Sequence, residues 1–312
     1  EEDWKGALIR FKDQKINHGT SIKIETWNAK YEPVLNAALK LLLANNAPTN
    51  PADLIDACLK KWKPGSRSRE IGAQNLTQFL KHCVMRESFP VNWTPPIELK
   101  SHIGRKAANA KSQKMHPISE IEILSIINSI PNDPPGKRWK DAICLMAVYG
   151  LRPVELLHLH VRTDEKTNEP YLFCSYEKRS GSGVTRPRRL LPLPIDGQDW
   201  NLLLRLKTND IKLPPLESKN GSGEAARKYL ERRPSWVSLS KALKRRKENL
   251  GTYSFRHSFS VRGHQLNIDG GSMAEMMGHS YETHCRAYPF ATEKTTIAAH
   301  EKALKVASAM KP

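Results

Sequence analysis

The sequence predicts a mainly α protein in two parts: an all-helical N-terminal domain (1–94) and a mostly helical second domain (117–290) with one small β-hairpin. Three observations carry this. Apolar residues recur at helical spacing through most of the chain. Capping and breaking signals fall between those stretches. Only two short runs have the character of strands. A length of 312 residues also suits two domains of ordinary size.

In the first part, Tyr31, Leu35, Ala38 and Leu42 mark one helical face. Asn50 is an N-cap with Pro51 at the first helical position, and the helix they open carries Leu54, Ile55, Cys58, Leu59 and Trp62. Pro64-Gly65-Ser66 breaks it, and a third helix runs through Ile71, Leu76, Phe79, Leu80 and Cys83. Residues 95–116 have the composition of a basic linker. Past Glu98 they include Lys100, Arg105, Lys106, Lys111 and Lys114 and no acid. A solvated connector and a strap along a polyanion both fit that composition.

The second part opens on a capping box, Ser119 with Glu122, ahead of Ile123, Leu124, Ile127 and Ile130. A helix from about Trp139 ends at Gly150, and Arg152-Pro153 starts another. Tyr171–Tyr176 and Arg188–Pro194 are the two strands, around Ser180-Gly181-Ser182-Gly183. All that follows reads helical. A tail helix is expected over 291–312, with Thr292 as its cap and Ile297, Leu304 and Val306 on it.

Composition narrows the function. The longest apolar run, Ala37 to Ala44, is interrupted by Lys40, so no membrane partner is expected. Glu1-Glu2-Asp3 is the wrong start for a signal peptide, and the lack of an initiator Met points to a trimmed chain or an omitted leading segment. Cys58, Cys83, Cys144, Cys174 and Cys285 lie far apart without a C-x-x-C pair, which fits a reducing interior. Lys+Arg number 50 against 32 Asp+Glu, a net +18. The surplus is divided between 1–116 (19 against 11) and 117–312 (31 against 21). Both halves are therefore expected to meet one polyanion, nucleic acid first.

Four clusters in the second part carry chemistry. They are Gly150-Leu151-Arg152-Pro153-Val154-Glu155-Leu156, Lys178 at the tip of the hairpin, Tyr253-Ser254-Phe255-Arg256-His257, and Met277-Gly278-His279 with Tyr288 nine residues after the histidine. The set resembles the tyrosine recombinases, or phage-type integrases. Their catalytic domain carries an Arg box, a hairpin Lys, a His-x-x-Arg box, a His or Trp, and a nucleophilic Tyr. The resemblance covers about residues 117–290 and is a tyrosine recombinase catalytic fold by expectation; the N-terminal helices are similar in kind to the family's core-binding domain, without a motif. One position departs: Tyr253 stands where the family usually has His, as in some telomere-resolving and excision enzymes.

The resemblance implies attack of a phenol oxygen on a DNA phosphodiester, giving a 3′-phosphotyrosyl link that a second strand later reverses. It implies no cofactor, since the covalent link conserves the bond energy. On this reading Tyr288 is the nucleophile; Tyr281, only two residues after His279, is poorly placed. Arg152 and Arg256 clamp the scissile phosphate, because a guanidinium fork matches the charge gathering there. Lys178 protonates the leaving oxygen. His279 donates to a phosphate oxygen or positions Tyr288, and Tyr253 donates to the phosphate without serving as base. Glu155, three residues after Arg152, is expected to orient that arginine or the Tyr253 region, and His257 to pack as a satisfied core histidine.

The remaining charge is assigned to DNA backbone. Residues 227–247 hold nine Lys+Arg against Glu231 alone, and Lys228, Arg232, Arg233, Lys244, Arg245 and Arg246 are expected on phosphates along one basic helical face, as are Lys106, Lys111 and Arg179. His158-Leu159-His160 lacks a completing ligand, so no metal is expected. The expected partners are a double-stranded DNA site and further copies of the chain, a dimer on one site and a tetramer in synapsis, with the tail docking on a neighbour. The expected place is the cytoplasm of a prokaryote, with the gene on a phage or mobile element. A telomere resolvase, a type IB topoisomerase and a catalytically silent DNA-binding relative are the alternatives.

Overall fold

The computed structural model describes residues 2–18, 21–105, 115–180, 183–218 and 221–288, with 297, 300, 301, 303–305 and 308 of the tail. The chain divides into two compact units, Glu1–Ser112 and Gln113–Pro312.

The first unit is helical in its described residues. Helix α1 (Trp4–Asn17) is capped by Asp3, which accepts from Gly6 N, and it buries Trp4, Ala7 and Phe11. A short α2 (Ile24–Thr26) runs through a π-helical turn into α3 (Glu32–Leu42). Helix α4 (Pro51–Leu59) starts where the cap predicts, with Asn50 accepting from Asp53 N at 2.9 Å. Helix α5 (Arg67–Arg86) is capped by Ser66, and its Leu76, Phe79 and Leu80 meet Phe11, Trp27 and Leu35 in one core.

The expected linker is in part built into this unit. Trp93 packs edge-on against Trp4 at 4.8 Å. Past it, α6 (Lys100–Ile103) is tied down as Gly65 N donates to Ile103 O at 2.7 Å and Arg69 Nε to His102 O at 2.9 Å. Leu99 and Ile103 are the apolar anchors that the basic composition obscures. Lys106, Lys111 and Lys114 lie outside the described residues.

The second unit opens on α7 (Glu120–Asn128), with both halves of the Ser119–Glu122 capping box formed. Helix α8 (Pro134–Tyr149) begins five residues before the expected Trp139. Asp133 caps it by accepting from Gly136 N, and Pro134 occupies the first turn. It is the central helix, buried from Ala142 to Tyr149. It ends at Gly150 in the left-handed region (φ +64°), where a Cβ would also come within 2.5 Å of Phe259.

The β structure is larger than expected. Strands β1 (Leu159–Thr163), β2 (Pro170–Cys174) and β5 (Arg188–Leu190) form one antiparallel sheet in the order β1-β2-β5, and β3 (Lys178–Ser180) with β4 (Gly183–Thr185) form a separate hairpin. Strand β1 takes in Leu159 and His160 of the His158-Leu159-His160 stretch. Its residues are half-buried or exposed, so it lacks the apolar run that marks an inner strand. Lys178 is not at the hairpin tip. It pairs with Thr185 at the open end.

Helices α9 (Leu202–Lys207), α10 (Ser222–Leu230), α11 (Pro234–Arg245), α12 (Tyr253–Gln265), α13 (Gly270–Met277) and α14 (Tyr281–Ala287) follow. The basic helical stretch expected over 227–247 is made of two helices, α10 and α11, because Pro234 starts a new one. Helix α12 packs on α8. Helix α13 ends at left-handed Gly278 (φ +68°), and α14 is capped by Ser280, accepting from Thr283 N. The tail expectation falls mostly outside the described residues; Ile297 and Leu304 are exposed. No helix among the described residues is long and apolar enough to cross a membrane. The five cysteines are free.

Candidate active site

The centre of the site is a buried carboxylate. Glu155, in the 3₁₀ turn Pro153–His158 just after α8, has no exposed surface. It accepts from Arg152 N at 2.8 Å and from Arg152 Nη1 at 2.9 Å. It also accepts from Arg188 Nη1 at 3.0 Å and Nη2 at 3.3 Å, and Arg256 Nη1 lies 3.6 Å away. Burial alone would push this carboxyl up. The guanidinium groups of Arg256, Arg188 and Arg152 override that and hold it at about 2. Glu155 thus orients Arg152, as its offset predicts, and two further arginines with it.

Arg256 projects from the first turn of α12 and is 1% exposed. It donates to Gly150 O at 2.6 Å and to Met277 O, the carbonyls that end α8 and α13. Burial and the neighbouring Arg152 lower its pKa to about 10, so it stays cationic at neutral pH. Arg188, the first residue of β5, donates from Nε to Met276 O at 2.8 Å. Sequence reasoning missed it. The available signal is the two-residue period of β5: Arg188 shares the buried face of Leu190, and a charged residue there needs a counterion.

Tyr288 closes the site. It follows α14, is 6% exposed, and its N–H donates to His284 O at 2.8 Å. Three imidazoles face its ring: His257 at 5.0 Å, His284 at 5.0 Å and His279 at 5.7 Å between centroids. His257 is therefore a half-buried neighbour of Tyr288 and not a core residue. Burial, then Arg256, His284, Arg152 and Arg188, push His279 down to about 3. Burial, then His264 and Arg256, push His284 down to about 4. His284 is the second residue that sequence reasoning missed. It belongs to no motif, though it stands one helical turn before Tyr288.

The structure thus brings Arg152, Glu155, Arg256, His257, His279 and Tyr288 together and adds Arg188 and His284. It does not bring Lys178 to them, since that side chain lies exposed on the β3–β4 hairpin. Tyr253 is 44% exposed at the start of α12 and interacts electrostatically with Tyr176. The Arg179 side chain lies outside the described part.

Of the expected backbone contacts, Lys228 is 3.4 Å from Glu224 and Arg246 3.3 Å from Glu248. Arg232 donates to Lys228 O, and Arg233 is half-buried over the Tyr229 ring at 4.7 Å. Lys244 and Arg245 are exposed and carry no ion pair among the described residues.

This is the tyrosine recombinase fold, mostly helical with a small antiparallel sheet. Among solved structures, the Tn1549 transposon integrase in complex with a circular intermediate DNA aligns with a TM-score of 0.58 over 97% of this chain and 100% of its own, at 14% identity. The XerH site-specific recombinase bound to palindromic difH substrate aligns at 0.57 over 87% and 78%, at 16% identity. A lambda integrase dimer bound to a core site aligns at 0.50 over 91% and 94%, at 14% identity. Excisase A from Nostoc sp. (strain PCC 7120) is 25% identical over 150 residues, 48% of this chain and 30% of the excisase. The match thus spans less than a third of that protein's length. No protein-family model matches the chain.

Proposed function

We propose that this chain is a site-specific DNA recombinase that cleaves and rejoins strands through a 3′-phosphotyrosyl link on Tyr288. The observation that carries the reading is the gathering of Arg152 and Arg256 on Glu155 beside buried Tyr288 and half-buried His279. Three guanidiniums against one carboxylate leave a surplus of positive charge held in place before any anion arrives. A preorganised positive site of this kind favours a phosphodiester transition state, whose charge gathers on the non-bridging oxygens. Tyr288 attacks phosphorus, the P–O5′ bond breaks, and Lys178, carried in on its hairpin, protonates the departing oxygen. Tyr253 donates to the same phosphate. Lys244 and Arg245 contact flanking backbone, and the tail couples subunits in dimers and tetramers. Four positions named from sequence motifs alone meet in one site, and the relatives solved on DNA carry the same fold.

The test is covalent capture. The protein is incubated with nicked duplexes of randomised sequence, and detergent-resistant adducts are collected, sequenced and digested. Mass spectrometry is expected to place phosphotyrosine on Tyr288, and Tyr288→Phe to form no adduct. An adduct that survives Tyr288→Phe refutes the assignment. No adduct with the unaltered protein favours the silent DNA-binding alternative, and hairpin products favour the telomere resolvase.

A further inference from the structure

We propose that Ser258 is a positioning residue for strand cleavage: its hydroxyl fastens the segment 115–118, which follows directly on Lys114, to the first turn of α12, and so sets where Arg256 stands. The proposal deepens the recombinase reading and rests on it.

Helix α12 opens without a cap of its own. Thr252 stands at the N-cap and makes no side-chain hydrogen bond to the first turn, and no acid lies there. The turn is held from elsewhere in the second unit. Ser258, 2% exposed, accepts from Ile118 N at 2.8 Å and donates to Ser254 O at 2.7 Å. One buried hydroxyl thus joins the incoming chain to the residue two before Arg256. His116 N donates to Asn249 O at 2.7 Å, and Met115 pairs with Asn249 in a parallel bridge. Pro117 stands between the two backbone donors, where no N–H is needed. Gly251 O accepts from Ser254 N at 2.8 Å, and Gly251 N donates to Ser254 Oγ at 3.2 Å. Met115 covers this turn: a Cβ on Gly251 would come within 2.6 Å of its sulfur. Ile118 is itself fixed in the core that α8 runs through.

Arg256 stands between Ser254 and Ser258 on α12, and its guanidinium already meets Gly150 O, Met277 O and Glu155. Its aim therefore depends on where the first turn of α12 is held. A misplacement of about 1 Å at a reacting group can cost about a hundredfold in rate. Ser258 is buried, so it acts through α12 and not on the phosphate. Lys114, the residue before Met115, is the last lysine of the stretch expected to lie along a polyanion. Segment 115–118 therefore joins that stretch to the helix that presents Arg256, and engagement of DNA by the one is coupled to the aim of the other.

Two measurements test this. The first is hydrogen exchange on the full chain without DNA. Ser258→Ala is expected to raise exchange at Ile118 and over 252–256 by about tenfold or more while α8 stays unaltered. Unaltered exchange there, or a rise that α8 shares, overturns the proposal, and this readout needs no cleavage, so it is separate from the recombinase reading. The second follows affinity and the single-turnover rate of adduct formation on the captured duplexes. Gly251 is not left-handed, so a methyl there meets only Met115. Ser258→Ala and Gly251→Ala are each expected to slow the adduct about tenfold or more at saturating protein, with affinity kept within about twofold. Adding Met115→Ala to Gly251→Ala clears space for the new methyl and is expected to recover most of the lost rate. An unaltered rate in either folded variant, a loss carried by affinity instead of rate, or no recovery in the double variant overturns the proposal. Should Ser258→Ala not fold, Gly251→Ala with and without Met115→Ala decides it.

Discussion

Replacing Glu155 by Gln is expected to destabilise the second unit by about 3 kcal/mol at neutral pH. The carboxyl is held at about 2 against an ordinary 4.5, and each unit of displacement corresponds to about 1.4 kcal/mol. The group is almost wholly buried, so solvent screening removes little of this. Deleting one partner of a buried ion pair costs a similar amount, about 3–5 kcal/mol. The folded pKa lies below the unfolded one. The contribution is therefore complete above about pH 5 and is lost as pH falls through 4.5 towards 2. Urea unfolding of both proteins, followed by tryptophan fluorescence from pH 7 down to pH 3, measures the difference. Other carboxylates titrate alike in the two proteins and cancel. A gap under about 0.5 kcal/mol at pH 7, or one that stays constant down to pH 3, refutes the assignment of Glu155 as the ionised bridge.

Arg188→Ala is expected to slow adduct formation about tenfold or more, with Arg188→Lys recovering only part, because lysine cannot reproduce the fork that meets both Glu155 oxygens; single-turnover assays on the captured duplexes decide it. Tyr253→Phe is expected to slow the same step by removing a phosphate donor, and cleavage at the unaltered rate dismisses that contact. A sharp gain from Tyr253→His marks the position as that of a weakened base. Replacing Lys244 and Arg245 together by Gln is expected to lower the dependence of log affinity on log salt by about 1 for each phosphate that the protein no longer neutralises, measured by fluorescence anisotropy between low and moderate salt.

What the sequence made legible follows from the range of the forces involved. Local signals located elements: the Asn50-Pro51 and Ser119–Glu122 caps open helices where expected, and Gly150 ends one. The spacing around Arg152, Arg256, His279 and Tyr288 named residues that do meet. The misses are long-range. Strand β1 is held by pairing with β2, and its own residues lack an apolar run. Arg188 matters only because Glu155, 33 residues away, lies across from it. His284 matters only because His264, 20 residues earlier, turns towards it. The Trp139 boundary failed for a local reason, since Asp133 with Pro134 was already a helix start.

The same geometry explains how a chain can gather three guanidiniums on one carboxylate, those of Arg188 and Arg256 buried. Helix ends expose carbonyls with no intrahelical partner, and the helix dipole places negative charge there. The C-terminus of α8 supplies Gly150 O to Arg256, and that of α13 supplies Met276 O to Arg188 and Met277 O to Arg256. Two helix ends thus satisfy donors that would otherwise demand further acids. A second buried carboxylate would cancel another of the three guanidinium charges. Fractional charge from carbonyls orients the arginines and leaves their formal charge uncancelled. Gly278 shows how closely this is fitted: a Cβ there would come within 2.7 Å of the Arg188 guanidinium, so the left-handed turn that ends α13 also clears the space for the arginine that α13 holds.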